Sequence, residues 1–388
     1  MRIRFTTIAA IAVTVSSLLF ATVATADAPL KVGIIWTFSD SDPGTQAFDA
    51  GIAAYMKMHG DTVAGRKIEL IRRDDGGLNP DLAKRHAQEL IVQDQVDAIA
   101  GFVWTANAIA AGTVALAAKK PEFVSNATAL GYLEKFPNMT RYSFTTYELG
   151  QAMGRYAAAH GMKTAYSIYS NLQSGVDASN GFAETFTAGG GKMLGTDAMP
   201  LGSKQFTSYL QRIKDAKPDA LWLWMPAPLG AQPFLQAYHS LELDKAGIKL
   251  LATGDLVEEN SLKSEGDQAI GVISAYPYSA AHNSAINREF VRTIRSIAPN
   301  IEPNVIAAEG YDTMNAIYAA ALAQKGAFDY DKTMAALKGL KWESPRGPVE
   351  LNPATRDIIQ NVYIRRTEKL NGKLQNTEIE TVPMAPTR

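Results

Sequence analysis

The feature that most limits what this chain can fold into is an alternation of strand and helix patterns that runs once, breaks, and runs again. Lys31–Trp36 (KVGIIW) is a near-continuous apolar run, as in a strand buried on both faces of a parallel sheet. Thr45–His59 then places Ala47, Ile52, Tyr55 and Met56 at helical spacing. Arg66–Arg73 alternates as a strand, and Asn79-Pro80 reads as the capped start of a helix reaching Gln93. Asp97–Phe102, Asn107–Ala118 and Glu122–Val124 continue as strand, helix and strand. This order implies a parallel sheet with helices on both faces. After Arg141–Thr146 and the helix Glu148–His160, a second series begins at Thr164–Tyr169. It continues through Val176–Ala188, Lys192–Ala198, Gln205–Ala216, Ala220–Met225 and Ile248–Ala252. Two α/β units are therefore expected, and 388 residues is ample chain for them.

In an open α/β sheet, ligands bind beyond the carboxyl ends of the strands. Two small-residue turns stand at such ends in the first unit, Val103-Trp104-Thr105-Ala106 and Ser125-Asn126-Ala127-Thr128. Each combines a hydroxyl with backbone N–H groups near the start of a possible helix, a setting that favours a carboxylate. The anionic end of a small molecule is the expected occupant. Other chemistry is weakly represented. The five histidines form no H-E-x-x-H pair, and there is no G-x-S-x-G elbow or P-loop. Asp74-Asp75 reads as a turn and cap cluster, since a hard metal needs more oxygen ligands than one such pair supplies. Gly189-Gly190-Gly191 follows a helix, the wrong order for a phosphate loop. The expectation is a binding protein rather than an enzyme, with no cofactor and no metal.

Net charge is −1 with both signs interspersed, so neither a nucleic-acid stripe nor a polybasic membrane patch is present in the sequence. Met1-Arg2-Ile3-Arg4, the apolar Ile8–Val23 and Ala24-Thr25-Ala26 together read as a cleavable secretory signal peptide over 1–26. There is no cysteine, hence no disulfide and no lipid-attachment thiol. An exported periplasmic protein is expected.

The order of local words carries a resemblance. These are KVGIIWTFSD, GRKIELIRRDDGGLNPDLAKRHAQELIVQDQVDAIAGF, KQFTSYLQRIKDAKPDALWLW, GVISAYPY, AAEGYDTMNAI and SPRGPVELNP. In this order the chain resembles the type I periplasmic solute-binding proteins of ABC importers, in the branched-chain amino acid (Leu/Ile/Val) branch. The resemblance implies an α/β fold of two doubly wound parallel-sheet lobes joined by three crossover strands, with the ligand in the cleft between them. Lobe one would be 28–143 plus 277–347, and lobe two 144–276 plus 348–388. An ABC permease in the inner membrane would be the partner of a monomeric carrier. The family's carboxylate grip falls on Thr105, Asn126 and Thr128, with Ala127 between the last two. Its two ligand tyrosines align with Ser174, beside Gln173, and with Pro226. Its ammonium-binding glutamate aligns with Asp255, and its cysteine pair with Gly77 and Trp104.

The lost tyrosines count against an amino acid. Trp36, Phe38, Phe102, Trp104, Tyr147, Tyr276 and Tyr278 fall at strand ends or crossovers toward the expected cleft, and rings stack on planar ligands. A small carboxylic acid with an apolar or aromatic body, of benzoate or phenylpropenoate type, is the favoured ligand. A branched-chain or other amino acid, or a periplasmic sensor reporting to a membrane receptor, are the alternatives the sequence leaves open. The alternative to a ligand role for the rings is core or hinge packing, and for Asp255 it is a helix cap.

Overall fold

The computed structural model describes residues 28–227 and 230–383, so the expected signal peptide lies outside the described residues. The first series forms β1 (Leu30–Trp36), α1 (Pro43–His59), β2 (Thr62–Val63), β3 (Arg66–Asp74), α2 (Pro80–Val92), β4 (Ala98–Gly101), α3 (Thr105–Ala117), β5 (Glu122–Val124) and β6 (Met139–Arg141). These make a six-stranded sheet ordered β2-β3-β1-β4-β5-β6, parallel apart from the β2 edge. The chain reverses its direction of growth at β1, so the crevice between the ends of β1 and β4 is the switch point where such sheets take ligands.

The second series forms α4 (Thr146–Ala159), β7 (Thr164–Ser170), α5 (Gln173–Ala188), β8 (Lys192–Met199), α6 (Thr207–Ala216), β9 (Ala220–Trp224), α7 (Ala231–Ser240), β10 (Lys249–Thr253), α8 (Leu262–Glu265) and β11 (Ile273–Tyr276). The chain then returns to the first unit as α9 (Ala285–Ile297), α10 (Val305–Ala323) and α11 (Tyr330–Leu337). Helix α10 lies so close on α1 that a Cβ on Gly51 would stand 1.9 Å from the Ala307 carbonyl oxygen. Strands β12 (Lys341–Ser344), β13 (Gly347–Leu351) and β14 (Ile358–Ile359) form a small antiparallel sheet. Finally β15 (Asn361–Leu370) and β16 (Lys373–Pro383) extend the second sheet to the order β16-β15-β11-β10-β9-β7-β8. The two-residue turn between them is Asn371-Gly372, with φ of 52° and 80°, the pair of positive values that an Asn-Gly hairpin turn supplies.

Three passages thus join two α/β units. Expected as a strand, Arg141–Thr146 is pairing strand only as far as Arg141; Thr145 instead caps α4, its side chain accepting from the Glu148 amide. A buried arginine stands at each passage. Arg141 pairs with Asp357, and Arg346 with Asp312 while donating to the Tyr142 and Ser143 carbonyls. Arg365 pairs with Glu259 and donates to the Tyr278 carbonyl. A buried guanidinium is tolerated only when paired in this way, and losing one partner costs about 3–5 kcal/mol.

Candidate ligand-binding cleft

Between the carboxyl ends of the two sheets lies a cleft of about 680 Å3, within the range of small-molecule sites. Its floor in the first unit is built by the two small-residue turns. After β4 the chain bends through Gly101 and Phe102, with φ of 114° and 74°. A Cβ on Gly101 would meet the Ile35 carbonyl oxygen at 2.3 Å, so glycine is required there. The bend delivers Trp104 as the residue before α3, whose first turn has no side-chain cap. The Thr105 and Ala106 amides at this helix start therefore have no partner within the helix.

The second turn is pinned nearly everywhere. Ser125 N–H donates to Gly101 O at 2.8 Å and Asn126 N–H to Phe102 O at 3.3 Å. Ala129 N–H donates to Thr105 Oγ1 at 3.3 Å, and Leu130 N–H to Asp177 Oδ2 at 2.9 Å. That leaves the Ala127 and Thr128 amides without an acceptor among the described residues. Of these open donors, those on Thr105, Ala106 and Thr128 belong to residues that border the cleft, beside the Thr105 and Thr128 hydroxyls.

The opposite wall comes from the second unit. Leu172, Gln173 and Ser174 lie at the start of α5 after β7, Trp224 ends β9, and Pro226 and Ala227 follow it. The units already touch across the cleft. Thr128 Oγ1 and Ser174 Oγ are 3.0 Å apart, while within the second unit Thr146 Oγ1 donates to Ser174 O at 2.6 Å.

At one end Tyr276 donates to Asp255 Oδ1 at 3.1 Å and Thr253 to Asp255 Oδ2 at 2.8 Å. Burial pushes the Asp255 carboxyl up to about 6, against the lowering effect of those two donors. Glu258 also borders the cleft. Burial, reinforced by neighbouring Glu259, pushes it up to about 8, and it accepts from Asn260 and from Asn304 Nδ2 at 2.7 Å. Behind the second turn, Asn126 Nδ2 donates to Glu309 Oε2 at 2.7 Å, and burial likewise pushes Glu309 up to about 8.

Nine of the expected residues line this cleft: Trp104, Thr105, Asn126, Thr128, Gln173, Ser174, Pro226, Asp255 and Tyr276. Three do not. Ala127 is wholly buried in the first unit. Trp36 is 1% exposed, stacks on Phe48 with ring centroids 4.0 Å apart, and donates Nε1 to Thr45 O. Phe38 lies with Trp36 in a separate groove against Ile297 and Ile301. Alternation along the chain explains both, because Thr37 and Ser39 between them take the cleft side. Of the other rings, Phe102 and Tyr278 are wholly buried, and Tyr147 bonds Glu184.

Rings the sequence reading overlooked take their places. Phe144, Trp224 and Tyr132 line the cleft, with Phe144 edge-on to Tyr276 at 5.3 Å. Trp224 ends its strand two residues after Trp222, whose Nε1 bonds Ala178 O in the interior. Its position as last residue of an apolar run was the available signal. Trp104 Nε1 is itself buried without a hydrogen-bond partner among the described residues.

The chain matches the periplasmic binding protein family over residues 29–373. Leu/Ile/Val-binding protein homolog 6 of Brucella suis is 37% identical over 355 residues, covering 91% of each chain. An ABC-transporter solute-binding protein of Rhodopseudomonas palustris BisB5, solved with 3,4-dihydroxybenzoic acid, is 42% identical. It has a TM-score of 0.86 and covers 92% of this chain and 98% of its own. Another from R. palustris, solved with 4-hydroxybenzoate, is 38% identical with a TM-score of 0.88, covering 93% and 98%.

Proposed function

The chain belongs to the periplasmic binding protein family, and we propose that it is the substrate-binding component of an ABC importer that captures a small aromatic carboxylate between its two α/β units. Its relatives are solute-binding proteins, not enzymes. One observation carries the ligand class. Three backbone donors without acceptors among the described residues, on Thr105, Ala106 and Thr128, belong to residues that border the cleft, and Trp104, Tyr132, Phe144, Trp224 and Tyr276 line the same space. The donors suit a carboxylate and the rings a flat apolar body. The similar R. palustris proteins were solved with hydroxylated benzoic acids, which supports the same class here.

In this reading the Thr105 and Thr128 hydroxyls and the Thr128 amide hold the carboxylate, with Asn126 behind them, and Trp104 stacks on the ring. Gln173, Ser174 and Pro226 close from the other side. Asp255 and Tyr276 face a polar ring substituent. Each Asp255 oxygen already accepts one hydrogen bond and keeps a lone pair that a ring hydroxyl can reach as donor. The lobes would be 28–143 plus 277–347 and 144–276 plus 348–388, hinging at the three passages. The protein would leave the cytoplasm on its 1–26 leader, act in the periplasm as a monomer, and deliver to an ABC permease.

A thermal-shift screen tests the ligand class. A ligand that binds only the native state raises stability by about 2.7 kcal/mol at a hundredfold excess over Kd. Benzoate, 4-hydroxybenzoate and 4-coumarate are expected to raise Tm, and leucine and valine to leave it unchanged. The opposite pattern would make this an amino acid carrier, as the name of its Brucella relative suggests.

A further inference from the structure

Arg141 lies at the end of β6, in the first passage between the units, and is 1% exposed. Its pairing with Asp357 occupies two of its nitrogens, with Nε 2.8 Å from Oδ1 and Nη2 on Oδ2. The third, Nη1, points the other way. It donates to Ala127 O at 3.2 Å and to Ala129 O at 2.7 Å, both carbonyls of the second cleft turn. Tyr132 adds its hydroxyl to Ala127 O at 3.1 Å, and the guanidinium sits 5.3 Å from the centre of that tyrosine ring.

In a trans peptide the C=O and N–H point in opposite directions. Binding the Ala127 carbonyl from the hinge side therefore aims the Thr128 N–H away from the hinge. Thr128 borders the cleft and its amide has no acceptor among the described residues. The Ala129 carbonyl repeats the geometry, since the N–H of the same peptide, on Leu130, reaches across to Asp177 Oδ2. We propose that Arg141 is the positioning residue of the anion cradle: from the hinge, its guanidinium holds the 127–128 peptide so that the Thr128 N–H faces the ligand carboxylate. This rests on the reading of the second turn as a carboxylate grip.

Arg141 does not touch the ligand. It acts through the peptide, and it also ties the turn to the third passage. Asp357 belongs to the loop before β14, and the Arg141 amide donates to Arg356 O at 3.1 Å in that same loop. The charge of Arg141 is matched by Asp357, so what reaches the cleft is an oriented and polarised amide rather than a second cation. A charge-assisted bond to the carbonyl strengthens the donor at the far end of the same peptide.

The test uses Arg141→Met combined with Asp357→Leu, which removes both charges and leaves neither buried alone. Arg141→Lys serves as the conservative variant, since three donors on one nitrogen cannot reproduce the four bonds that the guanidinium makes to Asp357 and both carbonyls. Two readouts separate positioning from general damage. Backbone residual dipolar couplings of ligand-free protein give the direction of the Thr128 N–H. Calorimetry gives the ratio of affinities for 4-hydroxybenzoate and its neutral isostere 4-hydroxybenzamide.

The double variant is expected to change the Thr128 coupling and lower the acid-over-amide ratio about tenfold or more, with Arg141→Lys in between. General damage would weaken both ligands alike and leave the ratio intact. An unchanged coupling or an unchanged ratio in folded protein would overturn the inference. Should the wild type bind neither compound, the ligand reading fails and the coupling alone decides the positioning role. Should the double variant not fold, Arg141→Lys carries both readouts.

Discussion

Thr105 and Thr128 resemble each other in sequence and do different things in the cleft. The Thr105 hydroxyl accepts from the Ala129 amide and so ties the two turns together, leaving its own proton to donate. The Thr128 hydroxyl faces Ser174 Oγ at 3.0 Å and spans the two units. The double variant Thr105→Ala, Thr128→Ala is expected to stay folded and bind 4-hydroxybenzoate about 10- to 150-fold more weakly. Isothermal titration calorimetry checks it, and an unchanged Kd removes both hydroxyls from the site. These two residues were legible from sequence because each closes a strand in a small-residue turn. Trp36 and Phe38 were misread because ring chemistry does not reveal facing. One residue of offset decides between cleft and core, and Thr37 rather than its neighbours took the cleft side.

Elements position the site through their ends. Helix α3 begins without a side-chain cap, two residues after the positive-φ pair Gly101 and Phe102, and its Thr105 and Ala106 amides belong to residues that border the cleft. Helix α5 contributes the facing end. Its Asp177 receives the Leu130 amide from the first unit through Oδ2 and the Gln173 side chain through Oδ1. Asp177→Ala is expected to shift ligand-free protein toward an open form, seen as a larger radius of gyration by small-angle X-ray scattering. With the closed form less populated, apparent affinity should fall several-fold. A variant with the radius and Kd of the wild type would show that this bond does not hold the units together. The helix and strand patterns that place these ends were readable as periodicity. The bond between Asp177 and Leu130 was not, since it joins residues 47 apart whose approach depends on how the units meet.

At the scale of the whole molecule, buried acids set the response to pH. Glu258, Glu265 and Glu309 are each pushed up to about 8 by burial, whereas an unfolded glutamate titrates near about 4.3. Between those values the folded protein binds more protons than the unfolded chain. Stability is therefore full below the unfolded value and falls as pH rises through this window, levelling off above about 8. Wild-type Tm from calorimetry is expected to decline from about pH 5 to about pH 8. Glu309→Gln, which stays neutral while keeping an oxygen for Asn126, should make that decline shallower. A Tm that rises across the window, or an equally steep Glu309→Gln profile, would mean that these acids ionise in place.

By itself the sequence determined the local and the repetitive. Strand runs, helix periods, the Asn371-Gly372 hairpin, the two α/β series and the small-residue turns at strand ends all depend on neighbours within a few residues. The order of its local words added the two-lobed architecture and a carrier's role. Only the tertiary structure decided what depends on direction and distant approach. It chose Phe144, Trp224 and Tyr132 for the cleft and sent Trp36 to the core. It buried Glu258 and Glu309 deeply enough to push their carboxyls up to about 8. It also brought Arg141 from the first passage onto the carbonyls of the second cleft turn. Side-chain facing and charge burial follow from how sheets twist and units meet, and no short stretch of chain encodes either alone.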